Sequence, residues 1–255
     1  MYRLSALLLL PLFCCLMLVA QDKTPAQRKD SVTVSAGISK EQLALEAQLA
    51  VVLSGADQAL KAGRAADAVQ QYEAALAMVH RERLLAEQEQ KVLRKAGNGY
   101  IGANRPSDAV ATFQKLVDAM SKQCDSEATA ASTCASAQQD LGMAKMHAGD
   151  FAGGLAFLRQ AEATYVKAEK LSEAEKASEF HEYTMIQIMN QAKTLMAVAL
   201  FQLGKTADAV GTTEEAIPQL NRVKDDTDVN PGIRESATSS LKDAQTVLER
   251  LRSVQ

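Results

Sequence analysis

The sequence predicts an all-α protein of stacked antiparallel helical hairpins, closed at the C-terminal end by a capping helix. Three observations carry this. Apolar residues recur at helical spacing from about Gln42 onward, and no segment alternates as a half-buried strand does. Aromatic residues make up only 4% of the chain and tryptophan is absent, while alanine is abundant. This composition suits closely packed helices better than a β-sandwich, whose strands favour aromatic and β-branched residues. Third, helix stops at Gly63, Asn104, Gly149 and Gly204 are each followed five residues later by a small residue: Ala68, Ala109, Gly154 and Ala209.

The elements follow in chain order. Residues 1–20 hold one arginine and then a nearly unbroken apolar run from Leu4 to Ala20, ended by Asp22 and Lys23. This is the pattern of a secretory signal peptide, with cleavage expected after Ala20. The alternatives are an uncleaved anchor, at the short end of a bilayer span and interrupted by Pro11, or a lipoprotein modified at Cys15. Residues 21–37 are polar without a helical period and read as a flexible linker. A helical repeat domain is expected over 38–255, with hairpins at about 39–80, 83–122, 130–170 and 173–224 and a capping helix over 231–253. Ser39 with Gln42 and Ser172 with Glu175 read as capping boxes. Nothing strong breaks the chain near His80, so the helices on either side of it are open to fusion. Pro218 is expected to kink or shorten its helix. Asn230 with Pro231 reads as a helix start.

Aligning KAGRAADAVQQYEAAL, GANRPSDAVATFQKLV, HAGDFAGGLAFLRQAE and QLGKTADAVGTTEEAI shows what repeats. After the small residue comes Val69, Val110, Leu155 or Val210. Four past the small residue stands Tyr72, Phe113, Leu158 or Thr213, and three further Ala75, Leu116, Ala161 or Ala216. A left-handed residue ends one helix. The small residue lets the next helix pack back on it, and the aromatic or leucine fills the space between pairs.

This pattern resembles the tetratricopeptide repeat (TPR) family. Gly97 and Tyr100 match the glycine and tyrosine of its first helix, Leu141 and Gly142 its Leu-Gly pair, and Gly149, Asp150 and Phe151 its turn. Ala197 and Leu200 stand at the glycine and tyrosine places of the fourth repeat, and Ala56 and Ala59 at those of the first. The resemblance covers roughly Glu46 to Val223 and implies a TPR-like α-solenoid. Spacing departs from it: the small residue recurs at intervals of 41, 45 and 55 residues, against about 34 in a regular array. The excess must appear as lengthened helices or inserted loops. The helix after Asn230 is expected to cover the last pair, as solenoid caps do.

Cys124 and Cys134 are the two cysteines beyond the leader. In an exported chain they are expected to form a disulfide, the alternative being two free thiols. Two cysteines without a nearby histidine fall short of a zinc site. No nucleophile elbow, Walker loop or dinucleotide fingerprint occurs, and His80, His147 and His181 are scattered. His147, just before a helix stop, reads as a helix C-terminal contact; His181 reads as a half-exposed helix residue. Neither an enzyme nor a cofactor is expected. Net charge is −3, one unit more negative without Arg3, with both signs interspersed, so no nucleic-acid footprint is expected. Membrane contact is expected only through a retained or lipidated leader.

The resemblance also implies a binding face, since the first helix of each TPR pair lines the concave side. In the second repeat that helix carries Lys91, Arg94, Lys95 and Asn98, which resembles part of a clamp for a peptide's terminal carboxylate. Gln139, Asp140 and Met143 stand there in the third repeat, and Gln191, Thr194 and Val198 in the fourth. Pairing with Glu87 or other acids is the competing role for Arg94 and Lys95. The expected function is an exported, non-enzymatic scaffold that binds a protein or peptide; the alternative is a structural part of a cell-envelope assembly.

Overall fold

A computed structural model describes residues 40–82, 86–122, 124, 127–174 and 179–254. The leader, the linker over 21–37 and the capping residue Ser39 lie outside the described residues. Among those described there are nine helices and no strand. They are α1 (Lys40–Lys61), α2 (Ala65–Glu82), α3 (Ala86–Gly102), α4 (Pro106–Met120), α5 (Ala128–His147), α6 (Phe151–Ala174), α7 (Glu179–Gln202), α8 (Thr206–Asp225) and α9 (Pro231–Ser253). His80 lies inside α2, and α2 and α3, which the sequence left open to fusion, are separate helices that pack on one another.

The chain divides after Ala103 into two compact units, at the turn joining α3 to α4. In the first, α1 packs on α2, α2 on α3, and α1 on α3. In the second, consecutive helices pack in order from α4 to α9, and α5 touches α7 as α7 touches α9. Within each unit every helix meets its successor, and α1, α5 and α7 also meet the next but one, which is the contact pattern of stacked hairpins.

The turns explain the order. Gly63, Gly149 and Gly204 take φ of 73°, 83° and 75°, and Asn104 takes 56°. Behind each glycine the same two hydrogen bonds close the helix. Gly63 N donates to Leu60 O and Arg64 N to Ala59 O; Gly149 N donates to Met146 O and Asp150 N to Lys145 O; Gly204 N donates to Phe201 O and Lys205 N to Leu200 O. The left-handed residue thereby satisfies carbonyls that a helix end leaves open and turns the chain back. At the third turn Asp150 then caps α6, accepting the Gly153 N–H at 2.9 Å.

The repeat positions form the core. Ala68, Ala109 and Ala209 are 0% exposed, and Gly154 is buried. Phe113, Leu158 and Thr213 are also wholly buried, as are Ala75, Ala161 and Ala216, with Tyr72 at 2%. Thr213, a polar residue at an apolar place, is satisfied inside its own helix by donating to Ala209 O. Gly97, Gly142 and Tyr100 are buried in their first helices, and Phe151, opening α6, is half-buried.

Two expectations need correction. Ser172 does not start a helix: it lies inside α6, buried, and α7 begins only at Glu179. Burial overrides the capping signal there, because Leu171 packs against Ala131 and Ala168. Of the two effects expected of Pro218, shortening does not occur, since α8 runs through it to Asp225. Ala216 and Leu220, on either side of it, pack against Leu241 and Ala244 of α9, and that contact outweighs the missing hydrogen bond. The excess repeat length is partly visible: α6 and α7 have 24 residues each.

The cap matches its sequence. Asn230 Oδ1 accepts the Gly232 N–H at 2.9 Å, with Pro231 in the first turn. One face of α9 then buries Ile233, Ala237, Leu241, Ala244, Leu248 and Leu251, while Glu235, Thr238, Ser239, Lys242, Gln245 and Glu249 stay exposed.

Candidate functional site

The basic face read on α3 is built by helical spacing. Lys91 is exposed, and Arg94, Lys95 and Asn98 are half-buried at i+3, i+4 and i+7 from it. Lys95 is already engaged. Its Nζ forms an ion pair with Asp57 of α1, and the other carboxylate oxygen of Asp57 accepts the Tyr72 hydroxyl at 2.6 Å. Burial, then the hydrogen bond to Asp57 and its negative charge, hold the Tyr72 phenol protonated, with its pKa well above the usual range. The Tyr72 ring lies on Gly99, where a Cβ would meet the ring at 2.0 Å. One carboxylate thus ties α1, α2 and α3 together. Sequence reasoning missed Asp57, and its partner is neither Glu87 nor another acid of α3. The signal available was a lone carboxylate among the apolar residues that follow Glu46.

The residues named on α5 take different roles. Gln139 is half-buried, and its Oε1 accepts the Tyr165 hydroxyl at 3.4 Å. Met143 is only 2% exposed. It belongs to the core and is withdrawn as a ligand contact: α5 is packed by α4, α6 and α7, which leaves that position no open side. On α7, Gln191 donates to Ser240 of α9 and Thr194 to the carbonyl of Asn190. Beside them Lys193 bridges Glu162 of α6 at 3.5 Å and Glu215 of α8 at 3.0 Å. Sequence reasoning also missed this three-helix ion cluster. Its members are up to 53 residues apart in the chain.

His80 is exposed, and the side chain of His181 lies outside the described residues. Burial lowers the pKa of His147, the reverse of the imidazolium-favouring contact expected at a helix C-terminus. Among the described residues no group of three His, Cys, Asp or Glu is placed to hold a metal. Among the same residues no helix is long and apolar enough to cross a membrane. Cys124 and Cys134 are joined in a disulfide, with Cα atoms 5.3 Å apart.

One open apolar groove of about 450 Å³ runs along α1 and α2, lined by Ala47, Gln48, Val51, Val52 and Met78. Val51 on its rim is 72% exposed, and Leu43, two turns earlier on α1, is 53% exposed.

Comparison with solved structures places this fold among TPR-like helical repeats. A crystal structure of nearly identical TPR-like repeats from Podosopora anserina aligns at TM-score 0.53 and 18% identity, over 82% of this chain and 95% of that one. Its Q17M variant aligns at TM-score 0.55 and 17% identity, over 82% and 94%. At such identity the likeness is one of fold. No family model matches the sequence, and no curated protein does.

Proposed function

We propose that the chain is an exported, non-enzymatic scaffold that binds a protein or peptide segment through the faces of its helical hairpins. The observation that carries this reading is the TPR-like fold itself, four times built on the same turn and small-residue contact. Such hairpins present side chains from successive helices along one face, which suits an extended partner. Fold alone does not assign a role, and the α3 face adds a chemical preference. Lys91, Arg94 and Asn98 lie along it, so an acidic or carboxylate-bearing partner segment is favoured. The disulfide supports maturation in an oxidising compartment, in keeping with an exported chain in the periplasm or outside the cell.

A second reading, a structural part of an envelope assembly, draws on the apolar groove of α1 and α2 rather than on the basic face. Cross-linking in the export compartment followed by mass spectrometry separates the two. A stoichiometric partner cross-linked at α3, and released when Lys91→Glu and Asn98→Ala are combined, is the expected result. A large complex insensitive to those changes but broken by Val51→Asp favours the assembly part. Turnover of a small substrate by the purified chain, with no partner retained, sinks both.

A further inference from the structure

The two ends of the disulfide sit in unlike surroundings. Cys134 occupies the second turn of α5 and is 0% exposed, as are its neighbours Ala131, Ala135 and Ala137. Cys124 precedes the helix and is half-buried, with its Sγ 3.4 Å from the carbonyl of Met120 at the end of α4. The body of α5 is held independently of the bridge. Gly142 and Gly154 bring the backbones of α5 and α6 together, and Ala135, Ala161 and Tyr165 pack as one cluster.

We propose that this bridge is a redox-sensitive clasp with a single entry. External thiols exchange with it only at Cys124, and reduction frees Cys124 from α5 while leaving the α5–α6 pair folded. The reductant is a small dithiol or a dithiol protein. Its thiolate attacks Cys124 Sγ and forms a mixed disulfide. The electron pair of the broken S–S bond passes to Cys134 Sγ, which takes up a proton. The reductant's second thiol then attacks its own bridged sulfur and releases Cys124, which is also protonated. The protein gains two thiols and the reductant becomes a disulfide. Attack at Cys134 has no approach path. A thiolate leaving into a dry site is disfavoured, so exchange in the folded chain is slow.

The test uses the whole folded chain and reduced glutathione, a monothiol, quenched early so that the first mixed disulfide is read before a second glutathione displaces it. Free thiols are alkylated at quench, and cleavage after Glu127 separates the two cysteines for mass spectrometry. Glutathione is expected on Cys124 and the alkyl group on Cys134, at a rate at least about tenfold below that in urea, where both sites react. Equal labelling of both cysteines in the folded chain, or equal rates with and without urea, overturns the single entry. A second measurement tests locality. After full reduction by dithiothreitol, hydrogen exchange is expected to show α5 and α6 still protected, and loss of that protection overturns the clasp.

Discussion

Gly154 has no room for a side chain. A Cβ there would lie 2.5 Å from Met146 Cγ and 2.8 Å from the carbonyl of Gly142. The methionine can move, but the carbonyl belongs to a helix that is itself packed. Gly154→Ala gains about 1 kcal/mol of helix propensity and is still expected to lose stability overall, because overpacking costs about 1–3 kcal/mol. Gly63→Ala fails for another reason: its surroundings are open, but its φ is 73°, which costs an L-residue about 1–2 kcal/mol. Urea midpoints for the two variants check both, and a raised midpoint for Gly154→Ala would mean that α5 and α6 do not approach this closely.

Two ionisable residues respond to pH in the same direction, each losing stability as pH falls, because both folded pKa values are lowered. The Gly153 N–H and then Lys145 hold the Asp150 carboxyl below its usual range. Its stabilisation is therefore full above the unfolded carboxylate value and is lost as pH falls toward the folded one. The Asp150 side of the ion pair is exposed while Lys145 is half-buried, so the pair is screened and adds less than the cap. Asp150→Ala is expected to lose about 1 kcal/mol at neutral pH, and the difference should close in acid. For His147 burial lowers the folded pKa from 6.5. As pH falls through that value the unfolded chain takes up the proton first, and the wild-type protein loses stability there. His147→Gln should flatten that slope in denaturation curves taken between about pH 7 and about pH 5.

At the scale of elements, most boundaries were legible because they rest on local chemistry. A residue forced to positive φ, or an Asn before Pro, marks an end whatever surrounds it. Ser172 misled because its capping pattern is equally local, whereas the contact of Leu171 with Ala131 spans some 40 residues of chain and outweighs it. The α3 face was readable from helical spacing alone. What holds it was not, since Asp57 is 38 residues from Lys95. Met143 was misassigned because the second face of α5 is buried by helices that its own sequence does not name. The capping helix gives the sharpest element-level expectation. Leu241 is 6% exposed and packs with Ala216, Leu220 and Ala244. Leu241→Ala should cost about 2–5 kcal/mol and expose apolar surface of α8 to a hydrophobic dye.

At the scale of the whole molecule, the main helix contacts within each compact unit join near neighbours in sequence. Stability in such a chain is approximately a sum of local terms, so damage should stay near its source. Tyr72→Phe tests this. The ring remains to pack on Gly99, but the hydroxyl that Asp57 accepts at 2.6 Å is lost. A hydrogen bond to a charged group is worth about 1.5–3 kcal/mol, and the Lys95 pair remains to Asp57, so the lower end is expected. Hydrogen exchange read helix by helix should show α1, α2 and α3 opening about tenfold more often, one factor of ten for each 1.4 kcal/mol. Protection in α8 and α9, which belong to the other compact unit, should be unchanged. A uniform fall across all the helices would show instead that the chain opens as one cooperative body and that near-neighbour coupling does not describe it.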